Sequence, residues 1–128
     1  MKFYGAEIVT PTGSRLPLSS AVEANGLVLL SGVLALRDGR IVEGIEEQTE
    51  VIFDTINTIL GQAGLTLDHV IKTTIWLTEP SDFAAFNAVY GRRLTAPFPS
   101  RSCVISQLVA PGARVEIEVV ASRNEVRA

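Results

Sequence analysis

The hydrophobic and polar positions of this chain alternate between a period suited to strands and one suited to helices. Phe3-Tyr4-Gly5-Ala6-Glu7-Ile8-Val9 predicts an edge strand, ended by the turn-rich cluster Thr10-Pro11-Thr12-Gly13-Ser14. Ala21-Val22-Glu23-Ala24 and Leu27-Val28-Leu29-Leu30-Ser31 flank Asn25-Gly26, a pair that tolerates positive φ at both positions and so marks a tight hairpin. The second run is apolar on both faces, which predicts a central strand. Asp38-Gly39 marks another tight turn, between Leu34-Ala35-Leu36 and Ile41-Val42.

From Ile45 the period becomes helical. Ile52, Ile56, Ile59, Leu60 and Ala63 fall at i, i+4, i+7, i+8 and i+11, a single apolar stripe. Glu46, Glu47 and Glu50 crowd the first turns, where the helix dipole favours anions. Gly64 stands where a C′ glycine ends a helix. Val70-Ile71-Lys72-Thr73-Thr74-Ile75-Trp76-Leu77 is rich in β-formers. Pro80-Ser81-Asp82 opens a second helix with Phe83, Phe86, Tyr90 and Leu94 facing inward, and Thr95-Ala96-Pro97-Phe98-Pro99 breaks it. Strands over residues 102–108 and 114–122, joined through Pro111-Gly112, close the chain. This order predicts one α+β domain over residues 1–128, with helices on one face of a mostly antiparallel sheet.

Composition adds an expectation of self-association. The chain is 47% hydrophobic with mean hydropathy +0.30, high for a monomer of 128 residues, yet no apolar run approaches the roughly 18 residues that span a bilayer. The surplus is expected to be buried against other copies. Met1-Lys2-Phe3-Tyr4-Gly5-Ala6-Glu7 has no signal-peptide core, and a lone cysteine excludes an internal disulfide, so a cytoplasmic location is expected. Net charge is −3, aromatics are 6%, and Arg92-Arg93 is the only adjacent basic pair, which disfavours nucleic acid as a partner.

Chemistry concentrates in Phe98-Pro99-Ser100-Arg101-Ser102-Cys103-Val104-Ile105 and Val115-Glu116-Ile117-Glu118-Val119-Val120. Pro97 and Pro99 stiffen the approach to Arg101, whose planar fork matches a carboxylate. The plain alternative is a surface arginine at a strand end. Alternation puts Glu116, Glu118 and Val120 on one strand face. Either that face is half-solvated, or one glutamate meets a cleft, where desolvation raises its pKa and suits it to acid–base work. Were the two segments side by side, Arg101 would hold an anion while Glu116 or Glu118 handled a water. Asn87, beside the apolar stripe of the second helix, has either a hydrogen-bonding task or edge solvation. Ser31 either points into a site or satisfies a neighbouring backbone group. Cys103 has no histidine near it in sequence, His69 being the only one, and reads as a buried small hydrophobe. There is no zinc spacing, phosphate loop, dinucleotide fingerprint or nucleophile elbow, so no cofactor is expected.

These blocks, with Leu30-Ser31-Gly32, Ile71-Lys72-Thr73-Thr74 and Asp82-Phe83-Ala84-Ala85-Phe86-Asn87-Ala88-Val89-Tyr90, make the chain resemble the Rid family. These are the YjgF-type reactive-intermediate deaminases, formerly labelled translation-inhibitor endoribonucleases. Part of the chain also looks like the related RutC proteins. The resemblance implies a chorismate-mutase-like fold forming homotrimers with clefts between subunits. It implies cofactor-free hydrolysis of 2-imino acids, tautomers of enamines such as 2-aminoacrylate, to 2-keto acids and ammonia. On it, Arg101 clamps the substrate carboxylate, the Cys103 main chain contacts substrate, Glu116 positions and deprotonates water, and Ser31 and Asn87 line or support the cleft. Leu18 departs from it, standing where active deaminases usually carry a tyrosine whose hydroxyl helps hold the water. An aliphatic chain cannot make that hydrogen bond. The expectation is weak activity or a different imine, with non-catalytic binding of 2-keto acids or similar carboxylates as the alternative. An endoribonuclease is disfavoured by the acidic balance and the missing histidine pair.

Overall fold

The computed structural model of the chain describes residues 1–10 and 12–128. Its strands are β1 (Lys2–Tyr4), β2 (Ala21–Ala24), β3 (Leu27–Leu30), β4 (Val33–Leu34), β5 (Leu36–Arg37), β6 (Arg40–Ile41), β7 (Val70–Leu77), β8 (Ser100–Ile105) and β9 (Val115–Ser122). The helices are α1 (Ile45–Gln62) and α2 (Phe83–Arg93). The main sheet runs β1-β2-β3-β9-β7-β8, with β4 also on β9, while β5 and β6 form a separate hairpin. Every ladder is antiparallel except β7–β8, because α2 carries the chain back so that both strands run the same way. This is the expected α+β domain with two helices on one sheet face.

Local chemistry fixes the turns. Asn25 (φ 53) and Gly26 (φ 76) close the β2–β3 hairpin, as their tolerance of positive φ predicts. At the end of α1, Gly64 is left-handed; its amide donates to the Gly61 carbonyl and that of Leu65 to Leu60, a full Schellman stop.

Alternation along β7 and β9 sends Thr73, Ile75, Leu77, Val115, Ile117 and Val119 under the helices, where Ile52, Phe53, Ile56, Leu60 and Phe86 complete a dry core. The polar exception is satisfied: Thr73 Oγ1 and the Tyr90 hydroxyl lie 2.7 Å apart. The opposite sheet face is uncovered. Phe3, Val22, Leu29 and Val120 form one cross-strand row on it, with Leu29 46% exposed.

Long-range polar contacts tie the ends together. Arg123 donates to Glu23 at 2.5 and 2.9 Å and to the Ala63 carbonyl at 2.7 Å, and this pairing holds the Glu23 carboxyl down to about 2. Asp82, only 4% exposed, takes a two-pronged pair from Arg114. Arg127 donates to the carbonyls of Leu67, Val70, Thr95 and Pro97 at 2.7–3.0 Å, bracing the loop that enters β8.

Four expectations change. The edge strand stops at Tyr4, because Gly5 turns at φ 90 and lies where a Cβ would strike Ser20 at 2.2 Å; among the described residues an isolated Val9–Arg15 bridge follows. The adjoining turn cluster is described except for Pro11, which lies outside the described residues. The β3 strand is internal but buried on one face only, since both helices lie on the same side. Phe83 is 45% exposed, which leaves Phe86, Tyr90 and Leu94 as the core-facing side of this segment. The strand predicted over 102–108 is displaced to Ser100–Ile105.

Candidate active site

Between β3 and β4 the ladder is interrupted at Ser31-Gly32, and the Glu116 side chain of β9 occupies that gap. A Cβ on residue 32 would lie 2.0 Å from Glu116 Oε2, so only glycine admits the carboxylate here. Burial raises the Glu116 pKa, and the nearby Glu118 charge adds to the rise. This is the perturbation a proton acceptor working near neutral pH requires.

The Glu116 carboxylate opens on a cleft of about 660 Å³, lined also by Ser31, Gly32 and Leu18. One wall is the segment before β2, held by several bonds. Gly5 N–H donates to Gln62 Oε1 at 2.8 Å, Ser20 Oγ–H to the Ala6 carbonyl at 3.1 Å, and Ser31 Oγ–H to the Ser19 carbonyl at 2.6 Å. Of the two readings of Ser31, the hydroxyl therefore serves the backbone while the residue lines the cleft. Leu18 lines the cleft with an aliphatic side chain, 41% exposed, at the position where the family resemblance implies a tyrosine hydroxyl.

Arg101 lies elsewhere. Its partner in register is Thr73, a core-facing residue of β7, so Arg101 and Cys103 point to the helix-covered side. Glu116 pairs with Trp76 and points to the opposite side. The two segments are not neighbours: β7 runs between β8 and β9. Arg101 and Glu116 thus fail to converge within one chain, a correction to the side-by-side reading. The cause is the parallel β8, whose register sets Arg101 in phase with the buried row of β7.

Around Arg101 a second half-site takes shape. The guanidinium carbon sits 4.8 Å from the Tyr90 ring centre, 5.7 Å from Phe83 and 5.9 Å from Phe86, a cation on an aromatic shelf. No ion pair among the described residues includes Arg101. Asn87, on the same helix as the shelf, has a buried Oδ1 with no hydrogen-bond partner among the described residues. Cys103 is half-buried; burial pushes its thiol pKa up, against a smaller opposing pull from Arg101. His69 is committed to a local cap, its Nδ1 accepting from the Thr66 N–H at 3.0 Å.

Two contributors were missed by sequence reasoning. Gly32 was legible only as part of a block, and its role follows from the carboxylate beside it. Phe83 was read as core, although its exposed flank serves Arg101. A larger open hollow of about 810 Å³ near Arg40 and Pro111 contains none of the candidate residues. Its buried Gln48 is fully engaged with Val42, Gly112 and Arg114 main chain.

Residues 11–123 match the family model described as endoribonuclease L-PSP. The chain is 39% identical over 109 residues to Reactive Intermediate Deaminase A, chloroplastic, of Arabidopsis thaliana, covering 83% of this chain and 58% of that one. RidA from the Antarctic bacterium Psychrobacter sp. PAMC 21119 superposes with a TM-score of 0.85 at 30% identity, over 95% of this chain and 99% of that one. E. coli TdcF, solved with bound serine, gives 0.84 at 27% identity, over 97% and 100%. No helix among the described residues is long and apolar enough to cross a membrane. With a chloroplastic relative among the matches, similarity does not assign the expected cytoplasmic compartment.

Proposed function

This chain belongs to the endoribonuclease L-PSP family, the Rid or YjgF-type group, and we propose that it hydrolyses 2-imino acids to 2-keto acids and ammonia. The carrying observation is that each chain holds two complementary half-sites that do not meet within it. One is a desolvated carboxylate in a cleft, the other an arginine with no carboxylate partner. A trimer formed through the uncovered apolar sheet face brings Arg101 of one copy to Glu116 of the next, in a closed cyclic arrangement. The bound serine in the TdcF structure supports a small carboxylate-bearing ligand for such a site.

In this reading Arg101 holds the substrate carboxylate by a paired, charge-assisted contact. The Asn87 amide and the Cys103 main chain complete that grip, and the thiol stays protonated as a spectator. Glu116 takes a proton from water as the water oxygen bonds to the imine carbon, and the C=N π pair moves onto nitrogen. The Glu116 proton passes to that nitrogen to complete the carbinolamine; Glu116 then moves the carbinolamine hydroxyl proton to the same nitrogen as the C=O forms and the C–N bond breaks, so that ammonia and the keto acid leave and the carboxylate is regenerated. An imine conjugated to a carboxylate is already electrophilic, so orientation and one base meet the demand.

Leu18 favours a second reading, in which the same cleft binds 2-keto acids without turnover, because it offers the attacking water no hydrogen bond.

The test couples an amino-acid oxidase, which makes imines in place, to trapping by semicarbazide. Wild-type protein is expected to reduce trapped product, and Arg101→Ala and Glu116→Gln each to abolish the effect. Refolding those two variants together should restore about a quarter of wild-type activity, the share of intact sites in randomly mixed trimers. No recovery overturns the shared site. No hydrolysis by the wild type, with keto-acid binding intact, selects the binder.

A further inference from the structure

Strand register sets what flanks the Glu116 carboxylate. Its partner on β4 is Leu34 and its partner on β7 is Trp76, and Trp76 in turn pairs with Val104 of β8. Partners in register share a sheet face, so one cross-strand row reads Leu34, Glu116, Trp76, Val104. The adjacent row is polar: Glu118 stands opposite Thr74, and Thr74 opposite Ser102. Two acids of one strand thus meet different neighbours. One lies between a leucine and the chain's single tryptophan, the other beside hydroxyls.

Core packing does not account for Trp76. The core-facing positions of β7 are Thr73, Ile75 and Leu77, while Lys72, Thr74 and Trp76 share the other face. Directly opposed side chains on neighbouring strands have Cβ atoms about 4.5–5.5 Å apart, within easy reach of an indole. An indole there displaces water that would otherwise solvate the carboxylate, and losing that water disfavours the charged form. Burial is the larger cause of the raised Glu116 pKa, ahead of the Glu118 charge.

Other charges near Glu116 are committed or set apart. Glu7 pairs with Arg15 at 3.3 Å and Asp54 with Arg93 at 2.8 Å. Lys72 stands opposite Val120, further along β9, with its Nζ 3.4 Å from Ser102 Oγ. In the trimer, Arg101 of the next copy pulls the other way until a substrate carboxylate covers it.

We infer that Trp76 is a positioning residue for the base: its indole excludes water from one flank of the Glu116 carboxylate and keeps that group a stronger proton acceptor than a solvated glutamate. Its catalytic meaning rests on the deaminase reading, whereas the contact itself lies within one chain and can be read without turnover.

With one tryptophan in the chain, fluorescence reports on this contact directly. Acid titration of the wild type should change the emission with a midpoint above the ordinary 4.5, coincident with the fall in kcat/KM, and Glu116→Gln should remove that transition. Trp76→Thr admits water while suiting a strand. Its kcat/KM midpoint should move down toward 4.5, and kcat should fall about tenfold at unchanged KM, part of the 100-fold or more that a positioned base supplies. Trp76→Phe keeps the apolar cover and should restore both. A kcat/KM midpoint unmoved in Trp76→Thr overturns the inference, whatever becomes of stability or assembly. If Trp76→Thr does not assemble, the wild-type titration decides, and an emission indifferent to Glu116→Gln overturns it. If no imine is hydrolysed, the deaminase reading falls, and the same titration still decides whether the indole covers the carboxylate.

Discussion

Replacing Gly32 by alanine separates the position of the Glu116 carboxylate from the stability of the fold. The added Cβ would meet Glu116 Oε2 at 2.0 Å and Cδ at 3.0 Å. Carbon contacts below 3.0 Å are essentially never found, so the carboxylate oxygen must retreat by at least 1.0 Å, the difference between those limits. A misplacement of about 1 Å in a reacting group costs on the order of 100-fold in rate. The obstacle is the tip of a flexible side chain and residue 32 is outside the left-handed region, so the fold yields easily. Lower chain entropy in the unfolded state offsets part of any strain, by about 0.4–1 kcal/mol. The expectation for Gly32→Ala is therefore kcat down about 100-fold, with the urea midpoint and the Kd for a keto acid nearly unchanged. The oxidase-coupled trapping assay, urea denaturation and calorimetry measure these in turn. A variant that keeps more than about a third of wild-type kcat refutes the placement of the base.

Further predictions concern charge and assembly. Glu116 must be ionised to accept a proton, so kcat/KM should fall as pH drops through its raised pKa, a midpoint above the ordinary 4.5. Glu118→Gln should lower that midpoint only in part, because burial is the larger cause; a midpoint at the ordinary value contradicts this. Stability runs the other way: the folded state holds the Glu116 proton more tightly than the unfolded chain does. That contribution is complete below the ordinary glutamate pKa and is lost as pH rises through the raised one, so Glu116→Gln should raise Tm near neutrality but not in acid. The Asp82–Arg114 pair should break asymmetrically. Arg114→Ala strands a buried carboxylate and costs about 3 kcal/mol or more, whereas Asp82→Ala leaves a half-exposed guanidinium that water can serve, at about 2 kcal/mol. Urea titrations at one protomer concentration check the order, and equal losses refute it. Leu29→Lys puts a charge in the uncovered apolar row and should yield monomers by sedimentation, inactive toward imines; a fully active monomer sinks the shared site.

Local signals were the legible part. The run Val70–Leu77 is β7 residue for residue, Asn25-Gly26 closes its hairpin, and Gly64 stops α1. The alternation of Glu116 against Ile117 gave its strand face, while the choice between a half-solvated carboxylate and a desolvated one came only with the cleft. What stayed hidden depends on pairing between distant segments. Nothing near Arg101 states that β8 runs parallel to β7 in a register that turns the guanidinium toward α2. Arg123 and Glu23 stand 100 residues apart, and either alone reads as an ordinary surface charge. Gln48 left a faint trace, one helical turn before Ile52 on the apolar stripe, because a buried amide must be hydrogen-bonded. The side of the sheet that carries Arg101 was invisible for the same reason that its neighbours were: a strand's period gives two faces, and only the completed sheet says which is which.

The brace formed by Arg127 gives the tail an influence out of proportion to its size. Four main-chain oxygens from two separated stretches share one guanidinium, and two of them, at Thr95 and Pro97, belong to the lead-in to Arg101. A protease cut after Glu125 would spare the dry interior and the ladders yet leave those oxygens without a donor. The injury would surface as a looser hold on anions in a protein whose circular dichroism still looked whole.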